Sequence, residues 1–292
     1  MIEIPLVPLR SVLGPGVALP LHIFEERYRL MINRCIDRGE PFGVVLLREG
    51  HEVGSASGRV AAVGTTAAIR RAGTYPDGRL DILTVGQQRF RVEDVDNVSE
   101  PYLMGRVTLL EEPTGPATEL EQRAEQVGRR FLEYLELLQP AEDAEGPEIE
   151  IEFEIEIDDD DEPASAESEA DTPATLDGLL ATVDDENGDP TDTAEAAVSE
   201  MDAQGLSAEQ RRELLMAAAR RLTGTDDPTA LSYVLTALIQ VDLSARQELL
   251  EARDTVERLT RLDRLLARES WFLKQGLRPI IVDPRQSGSH QG

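Results

Sequence analysis

The sequence predicts an α+β protein in which a small β-barrel is followed by an α-helical bundle, with a disordered acidic insert. Short apolar runs separated by turn residues fill the first 110 or so residues, which is typical of strands. Beyond Pro113 the apolar residues recur at helical spacing instead. We predict five regions: a barrel subdomain (1–118), a connecting helix (119–140), the acidic insert (141–204), the bundle (205–276) and a tail (277–292).

The charge of the chain is concentrated in one tract. The 292 residues carry a net charge of −28, and residues 141–202 hold 25 Asp and Glu with no Lys or Arg. The rest of the chain has 32 acidic and 29 basic residues, so it is close to neutral. Such a tract buries too little apolar surface to fold alone, which favours a disordered insert. An alternative is a docking segment: a strand that adds to a sheet edge, because apolar residues alternate with Glu over residues 148–157, or a helix that enters a groove, including one on this same molecule.

The barrel region begins with a strand over residues 2–9 and a turn at Gly14-Pro15-Gly16. A short extension (17–19), a helix over residues 24–38 that ends at Gly39, and a strand over residues 42–47 follow.

A long hairpin and one further strand complete the barrel region. Residues 58–72 are a predicted strand with a bend at Gly64, and Asp77-Gly78 is the tip of the hairpin. On the returning strand, Arg89 and Arg91 alternate with apolar residues. This alternation predicts a strand with one basic face. Together with Arg70 and Arg71, the face is either a solvated surface or a patch that binds an acidic partner.

Capping signals mark the helices. A long helix starts at a Thr118–Glu121 capping box and runs to Pro140. In the bundle, the starts are signalled by Ser207 with Gln210, Asp227 with Pro228, Ser244 with Gln247, and Asp254 with Glu257.

Several motifs resemble the Lon protease N-terminal, or substrate-binding, domain family. They are Pro5-Leu6-Val7-Pro8-Leu9, Pro15-Gly16, the run from Pro20 to Tyr28, the run from Gly86 to Val92, Pro101-Tyr102 and Leu249-Leu250-Glu251. The resemblance covers roughly residues 1–112 and 205–275, and the acidic insert is the main departure from it. It implies a PUA-like barrel with a helical bundle, together forming a surface that recognises protein chains. It does not imply proteolysis.

The residues themselves give no catalytic, cofactor or metal site. There is no phosphate-binding Gly-x-x-x-x-Gly-Lys-Ser/Thr motif. Lys274 is the single lysine, and Ser270 stands four residues before it, but a terminal helix supplies no oxyanion hole. One cysteine, Cys35, is expected to be a buried, inert thiol, and His22 a hydrogen-bonded structural residue.

We therefore expect a non-catalytic protein- or peptide-binding module that acts as an adaptor or regulator in proteolysis or protein quality control. Its partners would be unfolded or partner polypeptides, with a cellular protease as a further candidate. The candidate peptide contacts lie in a cleft between barrel and bundle, at Leu9, Leu13, Val17 and Leu19, for which core burial is the competing interpretation.

Two other functions stay open. One is a structural or regulatory protein whose acidic tract binds a basic partner or mimics a nucleic acid, and the other is a hydrolase with no recognisable constellation. Direct binding to nucleic acid is not expected, because basic and aromatic residues are not interleaved. No apolar run is long enough to span a membrane and no signal peptide is evident, so we expect a cytoplasmic protein.

Overall fold

The computed structural model describes residues 1–48, 60–138, 208–225 and 227–277. The predictions for the acidic insert and for the tail beyond residue 277 lie outside the described residues, as does Ser207 with its capping box.

The described chain contains six strands and six helices. The strands are β1 (Ile2–Leu9), β2 (Ala18–Ile23), β3 (Phe42–Leu46), β4 (Val63–Thr74), β5 (Leu80–Asp96) and β6 (Leu103–Leu109). The helices are α1 (Glu26–Arg38), α2 (Ala117–Leu138), α3 (Ala208–Thr223), α4 (Pro228–Leu238), α5 (Leu243–Leu250) and α6 (Thr255–Lys274).

The strands form one sheet that closes on itself. Their order is β2-β5-β4-β3-β1-β6, and β6 also pairs with β5. β5 makes this closure possible because it is 17 residues long: its first part pairs with β2 and its last part with β6. Register shifts in β4, at Thr65/Ala67 and Ile69/Arg71, bend the β4–β5 ribbon, close to the bend predicted at Gly64.

The barrel interior is apolar and α1 covers part of it. Helix α1 buries Tyr28, Met31, Ile32 and Cys35, and it ends at Gly39, whose φ of 64° is left-handed. Burial raises the pKa of the Cys35 thiol to about 11, so the thiol stays protonated near neutral pH. The predictions of a buried Cys35 and of a Gly39 helix stop are both confirmed.

Three glycines let backbone segments approach closely at the turn before β2. Gly16 takes the positive φ (75°) that the turn requires, and its N–H donates to the Gly86 carbonyl at 2.8 Å. Gly14 does not need positive φ; a Cβ there would lie 3.0 Å from Tyr233 Cδ1. A Cβ on Gly86 would lie only 2.2 Å from the Gly14 carbonyl oxygen. The turn is thus packed closely against β5 at Gly86.

We predict that Gly86→Ala lowers the free energy of unfolding by more than about 2 kcal/mol, because the added methyl group meets backbone that cannot move aside. Gly73→Ala is the matched control on the neighbouring strand, since its nearest atom would be 3.9 Å away. We expect the control to stay within about 0.5 kcal/mol of the original protein in urea unfolding. Equal effects at the two positions would show that the turn is not tightly packed.

Two helix starts form as the sequence predicts and two do not. Asp227 caps α4 with Pro228 at its first position. At α6, Asp254 accepts from Glu257 N–H at 2.7 Å, while the Glu257 carboxylate accepts from Arg253 N–H at 2.9 Å. The capping box predicted at Thr118 was wrong, because α2 begins one residue earlier, at Ala117.

The start predicted for α5 was also wrong. Asp242 caps this helix, two residues before Ser244. Aspartate is a favoured N-cap residue, and the box partner expected for Ser244 is engaged elsewhere. Gln247 is buried and donates to the Val63 carbonyl of the barrel at 3.0 Å.

A buried polar cluster joins the barrel to the bundle; we call Arg89, Glu112, Tyr233 and Arg258 the joint. The Glu112 carboxylate accepts from Arg89 Nε at 2.5 Å, from the Tyr233 hydroxyl at 2.8 Å and from Arg258 Nη2 at 3.3 Å. The Arg258 guanidinium also stacks on the Tyr233 ring, 3.8 Å from its centroid. The barrel and the bundle therefore share one carboxylate.

The second positive charge of the joint is balanced by a helix end. Arg89 Nη1 donates to the Leu250 and Ala252 carbonyls at 2.7 and 2.6 Å. Arg258 Nε donates to the Leu249 carbonyl at 3.2 Å. These carbonyls lie at the C-terminus of α5, where the helix dipole is negative and favours cations.

Arg89 corrects the prediction of a basic strand face. Its residue is only 2% exposed, whereas Arg70, Arg71 and Arg91 are exposed. Arg91 of β5 pairs with Val63 of β4, and Arg71 of β4 pairs with Leu83 of β5. The two pairs are eight residues apart, which is about 27 Å in an extended strand. A single patch of four arginines is therefore not formed.

We predict that Glu112→Gln lowers the free energy of unfolding by about 3 kcal/mol, because two buried guanidinium groups lose their shared counter-charge. This is the low end of the range for buried pairs, since the Glu112 side chain is 25% exposed. The control is Glu125→Gln, which breaks an exposed 3.4 Å pair with Arg129 and should cost at most about 0.5 kcal/mol in urea unfolding. A comparable loss in both variants would contradict a structural role for the joint.

Candidate functional site

Three exposed rings lie together at the hairpin end of the barrel; we call His22, Phe24 and Tyr75 the aromatic surface. The His22 and Phe24 rings are stacked with centroids 6.3 Å apart, and Tyr75 meets His22 edge-on at 6.0 Å. Phe24 and Tyr75 are each 42% exposed. Because these exposed rings are clustered and not scattered singly, this end of the barrel is the candidate interaction site.

Strand alternation and hairpin geometry bring these rings together. Along β2, the side chains of Leu19, Leu21 and Ile23 point into the core, whereas His22 points outward and Phe24 follows just after the strand. Tyr75 opens the β4–β5 turn, which closes with a hydrogen bond from Gly78 N–H to the Tyr75 carbonyl at 2.9 Å. Gly78 takes a φ of 86°, so the Asp-Gly hairpin predicted from the sequence is confirmed.

Asp81 lies between the rings. His22 is paired with Asp81 in the β2–β5 register, and His22 Nδ1 is 2.5 Å from Asp81 Oδ1. An ionised carboxylate only accepts, so the imidazole donates this bond. The Tyr75 hydroxyl donates to the other oxygen, Asp81 Oδ2. The two oxygens of the Asp81 carboxylate thus accept one hydrogen bond each, from His22 and from Tyr75.

Charged groups edge the aromatic surface. Arg79 lies over the Tyr75 ring, 5.4 Å from its centroid, and its Nε donates to the Asp77 carboxylate at 2.7 Å. Arg29 on α1 reaches the Asp77 carbonyl at 3.1 Å. The three rings therefore surround a carboxylate, and further charged groups lie at their margin.

The pKa values at this end of the barrel follow from these contacts. For Asp81, partial burial raises the pKa, but the hydrogen bonds from Tyr75 and His22 outweigh it, and the carboxyl pKa falls below its ordinary value. The hydrogen bond to Asp81 raises the pKa of the Tyr75 phenol. Hydrogen bonding to the Arg79 backbone lowers the pKa of Asp77. The lowered pKa of Asp81 favours the ionised carboxylate, and the raised pKa of Tyr75 favours the neutral phenol. These are the two forms that their hydrogen bond requires.

The four residues named from the sequence as candidate peptide contacts are in the core. Leu9, Leu13, Val17 and Leu19 are 1–4% exposed and belong to the barrel interior. The joint lies between barrel and bundle, where the cleft was expected. A site at the nearby exposed residues His22 and Phe24 was not predicted from the sequence. The alternation of apolar and polar residues along β2 does indicate that His22 faces outward.

The Ser270–Lys274 pair is not assembled. Lys274 Nζ donates to Glu133 on α2 at 2.5 Å, and this bond lowers the pKa of the Glu133 carboxyl. Ser270 is buried. His22 donates to Asp81 and its ring contacts Phe24 and Tyr75, so the prediction of a hydrogen-bonded His22 is confirmed.

The described residues hold neither a metal-binding cluster nor a membrane-spanning helix. No group of three or more His, Cys, Asp or Glu side chains there could hold a metal ion. In the same residues, every helix is too short or too polar to cross a membrane.

Comparison with known families shows to which family the chain belongs. Residues 3–268 match the family described as the ATP-dependent protease La (LON) substrate-binding domain. The chain belongs to this family, and the resemblance and the α+β fold class inferred from the sequence are both confirmed.

Individual relatives match over a smaller part of the chain. A Lon protease of Parabacteroides distasonis is 32% identical over 122 residues, which cover 41% of this chain and 15% of that protein. The Lon protease of Escherichia coli (strain K12) is 28% identical over 137 residues, or 47% of this chain and 17% of the relative. The chain thus spans less than a fifth of the curated relatives that it matches.

Two solved structures are similar over most of the chain. A Lon N-terminal domain protein from Xanthomonas campestris is 23% identical, with a TM-score of 0.45 over 91% of this chain and 98% of that one. The N-terminal domain of Mycobacterium avium complex Lon protease is 16% identical, with a TM-score of 0.46 and the same coverage.

Proposed function

We propose that the chain is a non-catalytic recognition module that binds unfolded or partner polypeptides through the aromatic surface. The observation that carries this proposal is the exposure of the clustered His22, Phe24 and Tyr75 rings at one end of the barrel. Phe, Trp and Tyr make up only 4% of the chain, so few such rings are available, and their clustering at the surface is informative.

The size of the aromatic surface favours weak, reversible binding. If each ring exposes about 40% of a side chain of 150–250 Å², the three offer about 250 Å² to a partner. At about 25 cal/mol per Å² this area supplies about 6 kcal/mol, most of which is lost to the entropy of association. A contact of this strength suits a module that samples many polypeptide segments rather than one that retains a single partner.

Family membership supports a place in proteolysis. The matched family is the substrate-binding domain of an ATP-dependent protease, and the relatives from Parabacteroides distasonis and Escherichia coli are named Lon protease. We propose that this chain acts as an adaptor or regulator in proteolysis or protein quality control, with a cellular protease among its partners.

A second candidate function comes from the charge of the chain. Residues 141–202 hold 25 acidic residues and no basic ones. This concentration favours a regulatory role in which the tract binds a basic partner or mimics a nucleic acid. Binding would then depend on these residues and would fall steeply as salt is added.

We predict that Phe24→Ser weakens binding to a labelled, permanently unfolded protein about tenfold, because the largest apolar ring of the surface is lost. Fluorescence anisotropy of the full chain measures the dissociation constant. Trp271→Ser is the matched control, since this ring is 57% exposed on α6, far along the chain from the aromatic surface. Circular dichroism checks that both variants are folded.

The outcomes separate the two functions. Loss of binding in Trp271→Ser but not in Phe24→Ser would contradict the assignment of the aromatic surface. If the original chain does not bind unfolded protein but binds a basic polypeptide, and deletion of residues 141–202 abolishes that binding, the tract is the functional part.

A further inference from the structure

We infer that Asp81 is a positioning residue that holds the rings of the aromatic surface in one arrangement before a polypeptide arrives, an inference that rests on the proposed function and deepens it. The backbone of Asp81 is itself fixed by the sheet. It lies in β5 between two strands, paired with His22 of β2 on one side and with Gly73 of β4 on the other.

The carboxylate of Asp81 links a strand residue to a turn residue. Oδ1 lies 2.5 Å from His22 Nδ1 and Oδ2 accepts from the Tyr75 hydroxyl. Phe24 is positioned one step further away, through its stacking on the His22 ring. All three rings of the surface therefore depend on one side chain that itself offers little apolar area to a partner.

Preorganisation is the physical benefit. His22 and Tyr75 are exposed, and without a hydrogen bond each ring would sample several side-chain rotamers. A binding partner would then have to immobilise both rings. Immobilising two such side chains weakens binding by roughly 5- to 150-fold.

The ionisable groups around Asp81 give a spectroscopic signature. His22 faces it from β2, and Tyr75 and Arg79 face it from the hairpin turn. Because the hydrogen bond to Asp81 raises the pKa of Tyr75, removal of Asp81 should let the phenol ionise at lower pH. A residue that merely stabilised the fold would leave this titration unchanged.

Asp94 supplies a matched control on the same strand. Its carboxylate accepts from Arg106 Nη2 at 2.5 Å, and its side chain is 56% exposed against 50% for Asp81. Asp94→Ala therefore removes a similarly exposed, hydrogen-bonded carboxylate of β5, but one whose partner, Arg106, lies outside the aromatic surface.

The experiment compares Asp81→Ala, Asp94→Ala, Tyr75→Phe and the Asp81→Ala/Tyr75→Phe double variant in the full chain, with the unfolded protein as the probe. We expect Asp81→Ala to weaken binding about tenfold and Asp94→Ala to leave it unchanged. Asp81→Ala should weaken binding less when Tyr75 is already phenylalanine, because one of its two bonds is then absent. Ultraviolet difference spectra against Tyr75→Phe isolate the Tyr75 titration.

The results distinguish this inference from the proposed function. Undiminished binding in Asp81→Ala, while Phe24→Ser still weakens it, overturns the positioning role and leaves the proposed function intact. An unchanged Tyr75 titration, or equal weakening by Asp81→Ala and Asp94→Ala, also overturns it. Binding that is insensitive to both Phe24→Ser and Asp81→Ala removes the proposed function, and this inference with it.

Discussion

The Glu112 carboxylate, shared by two buried arginines and a tyrosine, is the interaction on which the relation of barrel and bundle depends. Arg89 comes from β5 and Arg258 from α6, so neither half can move without leaving a guanidinium group uncompensated. One carboxylate cannot neutralise two cations. The carbonyls at the end of α5 supply the remaining negative potential, which makes the helix terminus part of the same electrostatic unit.

This arrangement is the reason that the proposed recognition is assigned to the outer end of the barrel. The joint lies between barrel and bundle, and apolar side chains such as Leu9 and Leu19 are buried in the core. In the proposed function, a polypeptide contacts the outward side of β2 and the tip of the β4–β5 hairpin. Both are held on a rigid sheet, which favours a surface that changes little on binding.

Much of the fold could be predicted because its signals are local. The strand at residues 2–9, the stop at Gly39, the Asp77-Gly78 hairpin and the caps at Asp227 and Asp254 each depend on a few neighbouring residues. Arg89 could not be placed, because its partners include carbonyls 161 and 163 residues later in the chain. The aromatic surface was missed for a similar reason: Asp81 meets His22 only through the β2–β5 register.

The long separation between Arg89 and its carbonyl partners has a consequence for folding during synthesis. The six described strands are all made before α3, α4, α5 and α6, so the barrel emerges from the ribosome with Arg89 lacking the α5 carbonyls. Closing the joint must wait for these later helices. Residues 141–202 add 62 positions to the sequence between the barrel and the helices, and contacts between residues far apart in a sequence form slowly. The two halves of the protein are therefore joined late, by contacts that no short segment can make by itself.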